Sequence, residues 1–220
     1  MSGRQEWAFI NGLIKMQRPR IAIEVGVATG GMARAIYSAL NENTQYTGVE
    51  SWYTGFDMWD THGVHGQFAQ MGSLENVQEK LSVIGERFAL VRINTQKDQD
   101  TFRKELATRF TLGIDFAFID GCHSYEGIKN DFYNVLPHMN PNGIIAFHDT
   151  AVIDGCREFI IDLRLLNKGY DISDFPYGTE ERNCGVTLIT TPGFADIKID
   201  EICGSPSKPE EIYEKENITE

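Results

Sequence analysis

Two stretches of the chain end an apolar run in residues that can move protons or hold a cation. In "DFAFIDGCHSYEGIKND", Asp115 to Asp131, the run stops at Asp120 and His123 follows three residues later. In "GIIAFHD", Gly143 to Asp149, a second run stops at His148 and Asp149. Short apolar runs bounded by turn signals read as buried strands. If these two are neighbours, their axes lie about 4.8 Å apart, and Asp120 and Asp149 can share one cation. Oxygen donors favour Mg²⁺, Mn²⁺ or Ca²⁺. Without a cation the two carboxylates repel, and one tends to hold a proton. His123 stands near a helix start with Ser124 as its expected N-cap. An imidazole with an ordinary pKa of about 6.5 suits a general base. Each residue alone is ordinary turn or helix-entry chemistry, and the weight lies in their meeting at two strand ends.

Three earlier segments carry related signals. "EVGVATGG", Glu24 to Gly31, puts Gly26, Gly30 and Gly31 in a tight turn into a helix, where a ligand can approach the backbone. Ala28 stands where a G-x-G-x-x-G pattern needs its second glycine. A plain strand–helix turn would also use these glycines. Glu24, inside an apolar strand, needs a partner, and a cationic ligand group would serve. Glu50, read as the end of the second strand, stands where nucleotide sites bind ribose hydroxyls, and Trp52 could cover an adenine face. "INTQ" offers Asn94 and Thr95 as adenine-edge partners, or as turn residues. His62 and His65 have a spacing a metal could use but no third ligand nearby. Asp131, off the apolar face of its helix, reads as solvated or charge-paired.

The elements that must position these residues alternate. Helix is expected at Gln5–Met16, ended by Pro19, then strand Ile21–Gly26, helix Gly30–Glu42 and strand Gln45–Ser51. Trp52–Gly72, aromatic and without clean period, reads as a lid or binding loop. Helix Ser73–Ile84, strand Phe88–Ile93, helix Lys97–Phe110 and strand Ile114–Asp120 follow. Then come helix Ser124–Met139, strand Gly143–Asp149, helix Ile153–Leu166, and strands at Tyr170–Phe175 and Gly185–Thr190. This alternation predicts an α/β fold, a mostly parallel sheet covered on both faces. Such sheets bind ligands beyond the carboxyl ends of their strands.

The bulk numbers agree with one soluble domain. The chain has 220 residues, 41% hydrophobic and 24% charged. A formal charge of −12 argues against nonspecific nucleic-acid binding. No stretch approaches the roughly 20 apolar residues of a membrane span, and the first residues do not read as a signal peptide. Cys122, Cys156, Cys184 and Cys203 match no zinc spacing and read as thiols of a reducing, cytoplasmic compartment. Residues 1–204 read as the domain with its N-terminal helix, a candidate for contacts between copies of the chain. The acidic tail 205–220 reads as disordered.

Together "IAIEVGVATGG", "YTGVES", "FIDGCHSYEGIKND" and "LPHMNPNGIIAFHDT" resemble the motifs of class I S-adenosylmethionine-dependent methyltransferases, in the small-molecule O-methyltransferase-like branch. The resemblance spans about Ile21 to Thr190. It implies a Rossmann-like, doubly wound, seven-stranded sheet with a reversed last strand. It implies that Glu24, Gly26, Ala28 and Gly30 cradle the methionine end of the cofactor. Glu50, with Ser51 and Trp52 beside it, would take the ribose, and Thr95 and Asp120 would border the same site. Asp120 and Asp149 align with the metal-binding acids of cation-dependent members, and His123 and Asp149 are the expected catalytic residues. His123 stands where the catechol-type, cation-dependent members carry lysine, and Asn142 stands where a second glycine is usual. A histidine base can work with or without a cation, so a divalent ion stays open. The expected activity is methyl transfer to a small hydroxylated molecule. The alternatives are a nucleotide-dependent oxidoreductase, disfavoured by the missing G-x-G-x-x-G, and a non-catalytic cofactor-binding module.

Overall fold

The computed structural model describes residues 3–59, 72–166, 169–176, 178–179 and 182–191. The elements in chain order are α1 (Gly3–Gln17), β1 (Ile21–Val25), α2 (Gly31–Thr47), β2 (Trp52–Asp57), α3 (Leu74–Ser82), β3 (Phe88–Arg92), α4 (Gln99–Arg109), β4 (Ile114–Ile119), α5 (Tyr125–Val135), β5 (Met139–His148), α6 (Asp154–Leu165), β6 (Asp171–Phe175), β7 (Gly178–Thr179), β8 (Arg182–Asn183) and β9 (Val186–Thr190). The tail 205–220, Cys203, and His62 and His65 lie outside the described residues.

The main sheet has seven strands in the order β3-β2-β1-β4-β5-β9-β6. β9 alone runs antiparallel to its neighbours β5 and β6, so the reversed strand is the last in sequence among the described residues. β7 and β8 pair as a separate small hairpin ahead of it. The strand order reverses between β1 and β4, which pair in parallel, and that junction is the switch point where such sheets open a crevice.

Alternation along the strands divides the interior into two layers. Ile23, Val25, Ala117, Ile119 and Phe147 face α4, α5 and α6, where Phe102, Phe132 and Phe159 pack. Ala22, Phe116, Phe118 and Ala146 face α1, α2 and α3, where Ile10, Ile14, Tyr37 and Val77 pack. The apolar stripe of α1 is therefore spent against its own domain.

One boundary departs from the sequence reading, with consequences for the site. The second strand was expected at Gln45–Ser51. The helix instead continues to Thr47, and β2 begins at Trp52. Tertiary contacts hold the extra turn. Asn43 Nδ2 donates to Ile14 O at 2.9 Å, and Ser51 N donates to Thr44 Oγ1 at 3.1 Å. Gly48, left-handed at φ 73°, then ends the helix in the manner favoured by glycine. Trp52–Asp57, expected in a loop, is a strand whose central residues Tyr53 to Phe56 are buried. The rest of the expected lid, 60–71, lies outside the described residues.

Asp131 is also corrected. It is fully buried and accepts from Gln96 Nε2 at 2.9 Å. Burial raises its carboxyl to about 7, against the pull of hydrogen bonds from Thr95 and Gln96. The folded chain thus holds this proton where the unfolded chain, at an ordinary pKa of about 4, has lost it. Stability should therefore fall as pH rises from about 4 to 7, by a few kcal/mol, and level off above. Asp131→Asn should flatten that slope in urea titrations at pH 5 and pH 8. An unchanged slope would refute the assignment.

Candidate functional site

The carboxyl ends of β1, β2 and β4 are stitched together by backbone. Asp120 N donates to Val25 O at 2.8 Å, and Gly26 N donates to Phe56 O at 2.9 Å. Gly26 has φ 89°, and a Cβ there would lie 2.0 Å from Asp120 O. The glycine is thus required by the close approach of the β4 end. Gly30, left-handed at φ 79°, leads into α2 without a side-chain cap, which leaves the first amides of that helix to a ligand or water. Ala28 is left-handed as well, at φ 47°.

The acid that serves this turn is Asp57. Its Oδ2 accepts from Ala28 N at 2.8 Å, and its Oδ1 accepts from Trp59 N at 2.7 Å. Trp59 Nε1 reaches back to Ala28 O at 3.3 Å. Glu50 precedes β2 and so stands at the opposite end of the sheet, where it pairs loosely with Arg87 at 3.5 Å. Ser51 and Trp52 are at that far end too. These three expectations are overturned because the helix kept the residues that were to form the strand. A left-handed glycine after a long helical pattern, followed by alternating "WYTGFD", was the available signal for Asp57.

Glu24 is 1% exposed, and Tyr53 donates its hydroxyl to Oε2 at 2.5 Å. Burial holds the carboxyl well above the usual range, the Tyr53 hydrogen bond opposes this, and nearby Asp120 and Asp57 add to it. Its partner is therefore an internal phenol, where a cationic ligand had been expected. Thr95 is buried at 8% exposure, against the Gln96–Asp131 cluster. Asn94 Oδ1 caps its own turn, accepting from Gln96 N and Lys97 N.

The two strand-end clusters do meet. His123 Nε2 lies 3.1 Å from Asp120 Oδ1 and 3.8 Å from Asp149 Oδ2. His148 Nδ1 lies 3.0 Å from the same Asp120 oxygen and 3.4 Å from Asp149 Oδ1. His148 Nε2 lies 3.0 Å from Glu6 Oε2. A chain Glu6–His148–Asp120–His123 results, running from a buried helix residue to a side chain 37% exposed. Ser124 caps α5 as expected, accepting from Gly127 N at 3.1 Å, and this turn brings His123 back to Asp120. Asn142 takes the left-handed conformation, φ 62°, that the missing glycine would have supplied.

Burial alone would lower both histidines, but the carboxylates reverse this. Asp120, by hydrogen bond and charge, and then Asp149 raise His123. Asp120, Asp149 and Glu6 raise His148 far above its ordinary value, so it is an imidazolium. Burial would raise Asp120 and Asp149, yet the histidines hold both below the usual carboxylate range. Asp149 also has a left-handed backbone, φ 55°, a conformation that costs about 1 kcal/mol and collects at functional sites.

Glu6 was missed in the sequence. The signal was its place on the apolar face of α1, four residues before Ile10. Asp120, His123 and Asp149 each offer a ligand atom within 4.8 Å of the others, and Asp149 Oδ1 is buried without a hydrogen bond. The donor set therefore fits a divalent cation.

Comparison with known proteins agrees with the fold. Among solved structures, the chain resembles the O-methyltransferase TomG from Streptomyces achromogenes, involved in tomaymycin synthesis and crystallised with SAM. The TM-score is 0.64 at 14% identity, over 86% of this chain and 80% of that one. It resembles an O-methyltransferase from Bacillus cereus in complex with SAH, with TM-score 0.60 at 13% identity, over 86% and 81%. It also resembles the SAH-bound methyltransferase PaMTH1 of Podospora anserina, with TM-score 0.57 at 16% identity, over 86% and 79%. Among curated proteins, 52 residues are 36% identical to the uncharacterized protein y4gI of Sinorhizobium fredii; the match spans 24% of this chain and 6% of that protein. The profile described as a methyltransferase domain matches residues 23–150, more than half the chain, from within β1 to just past the end of β5. The chain belongs to the methyltransferase-domain family.

Proposed function

We propose that the protein is an S-adenosylmethionine-dependent methyltransferase that acts on the hydroxyl of a small acceptor. The observation that carries this reading is the acidic rim of the switch point. Asp57 at the end of β2 and Asp120 just past β4 flank β1, near enough to its buried Glu24 that both raise that carboxyl. A sulfonium and an ammonium suit such a rim, whereas the pyrophosphate of a dinucleotide would be repelled. The relatives crystallised with SAM or SAH share the fold and support the same choice.

When bound, S-adenosylmethionine supplies an electrophilic methyl group on sulfur. The chain's own residues do the rest. The turn from Gly26 to Gly30 admits the cofactor close to backbone, and Asp57 takes the ribose hydroxyls in the role once expected of Glu50. His123 accepts the proton of the acceptor hydroxyl. Its Nε2 is engaged by Asp120, so Nδ1 receives that proton. Asp120 orients the ring and stabilises the imidazolium that forms. His148, cationic between Asp120 and Asp149, keeps those carboxylates from repelling one another. Positioning of acceptor against methyl should supply much of the rate. A divalent ion would be held by Asp120 and Asp149 with His123 beside them, and would lower the pKa of a bound hydroxyl.

Thermal shifts test the cofactor. S-adenosylhomocysteine at 100 times its Kd should stabilise the protein by about 2.7 kcal/mol, and NAD should not. The reverse pattern would replace this reading with an oxidoreductase. Affinity without turnover across a library of hydroxylated compounds would leave a binding module. EDTA without effect on turnover would remove the cation. Asp57→Asn should weaken S-adenosylhomocysteine roughly ten- to a hundredfold, the worth of a hydrogen bond to a charged acceptor. Glu50→Gln should leave it within about twofold, as for an exposed ion pair. Calorimetry showing the opposite ranking would restore Glu50.

A further inference from the structure

On the α1 side of His148, three donors of different chemistry converge. Glu6 of α1, His148 at the end of β5 and Cys184 just before β9 each offer a ligand atom, all within 4.8 Å of one another. Glu6 and Cys184 are both 2% exposed. Cys184 is in no disulfide. We infer that Glu6, His148 and Cys184 form a binding site for a borderline divalent cation of the Zn²⁺ class, separate from the Asp120–Asp149 pair.

The donor set selects the ion. Thiolate, imidazole and carboxylate are the three ligand types zinc takes, and sites with three protein ligands complete the tetrahedron with water. Magnesium and calcium prefer oxygen throughout. Two further observations point to an ion. Glu6 Oε1 is buried with no hydrogen-bond partner, although the other oxygen lies 3.0 Å from His148 Nε2. A bare buried oxygen is costly, and a cation would remove that cost. The far nitrogen of the same ring, Nδ1, lies 3.0 Å from Asp120 Oδ1. Histidines that bind metal almost always give their second N–H to a carboxylate. Binding of the ion would displace the Nε2 proton of the His148 imidazolium, and Asp120, holding the Nδ1 proton, would keep the tautomer that aims the freed Nε2 lone pair at Glu6 and Cys184. Ligand atoms around tetrahedral zinc stand roughly 3.3–3.8 Å apart, so side-chain movement of about an ångström closes the cluster. The ion would tie α1 to the ends of β5 and β9, joining the first helix to the last strand of the sheet.

Cobalt reports the thiolate directly. Protein treated with chelator and titrated with Co²⁺ should gain a near-ultraviolet sulfur-to-metal charge-transfer band that saturates at one equivalent. The band should vanish in Cys184→Ser and persist in Cys122→Ser and Asp149→Asn. Glu6→Gln should weaken Zn²⁺ at least tenfold. No band in the unsubstituted protein overturns the inference. So does a band that survives Cys184→Ser, or one lost in Asp149→Asn, which would place the ion between Asp120 and Asp149. If the variants fail to fold, X-ray absorption of the unsubstituted protein with one equivalent of Zn²⁺ decides. One sulfur at about 2.3 Å together with a Co²⁺ band supports the site, and a shell of nitrogen and oxygen alone refutes it. None of these readouts uses methyl transfer, so the proposed activity can fail without touching them.

Discussion

His123→Ala is expected to lower kcat by roughly 10²–10⁴-fold, the usual contribution of a positioned base, or about 3–5 kcal/mol of barrier. Binding of S-adenosylhomocysteine should hardly change, because the proposed role of His123 is toward the acceptor hydroxyl. The pH profile gives the sharper check. A base must be unprotonated to act, and Asp120 and Asp149 raise His123 despite its burial. The acid limb of kcat/KM should therefore lie above the ordinary histidine value of about 6.5, with activity rising toward alkaline pH. In Asp120→Asn the main opposing influence is gone, so burial should move that limb downward. A limb that stays in place in Asp120→Asn, or full turnover in His123→Ala, would take the base assignment away.

Gly26→Ala should be the most damaging single substitution of a small residue. The added Cβ would stand 2.0 Å from Asp120 O and 2.6 Å from Gly121 N. Both contacts are backbone, and both belong to the strand end that carries Asp120. Relief requires moving β1 against β4 at the switch point, on top of forcing a φ of 89° on a residue with a side chain. We expect a loss of about 3 kcal/mol or more, which for a domain of this size lowers Tm by roughly 6–12 °C. Gly12 supplies the contrast. It lies within α1, and a Cβ there meets nothing within 4 Å, so Gly12→Ala should be neutral or gain up to about 1 kcal/mol. Equal melting temperatures for the two variants would contradict the close-approach argument.

The sequence was most legible where chemistry and local signals coincide. Asp120 and His123 flank one glycine turn, and Ser124 announces the helix, so their meeting needs only a few residues of chain. Asp149 required a second strand, and the alternation of strand and helix supplied it. Glu50 shows where such reading fails. "QYTGV" has a respectable strand pattern, and nothing local reveals that Asn43 will dock on Ile14 and hold one more helical turn. That turn moved the strand and exchanged its terminal acid, replacing Glu50 with Asp57. Asp131 fails differently. Its place on the helix suggested solvent, but the Thr95–Gln96 turn covers it.

By itself, the sequence determined the order of elements, the parallel α/β class, the glycine turn after β1 and the acids and histidines at the ends of β4 and β5. These depend on periodicity and on residues close in the chain, where local sterics and hydrogen bonding dominate. Only the tertiary structure decided which acid ends β2, that Tyr53 is the partner of Glu24, and that Glu6 reaches His148 from the far end of the chain. Those outcomes depend on the register and docking of α1 and α2, whose burial energies are summed over many contacts and outweigh any local preference.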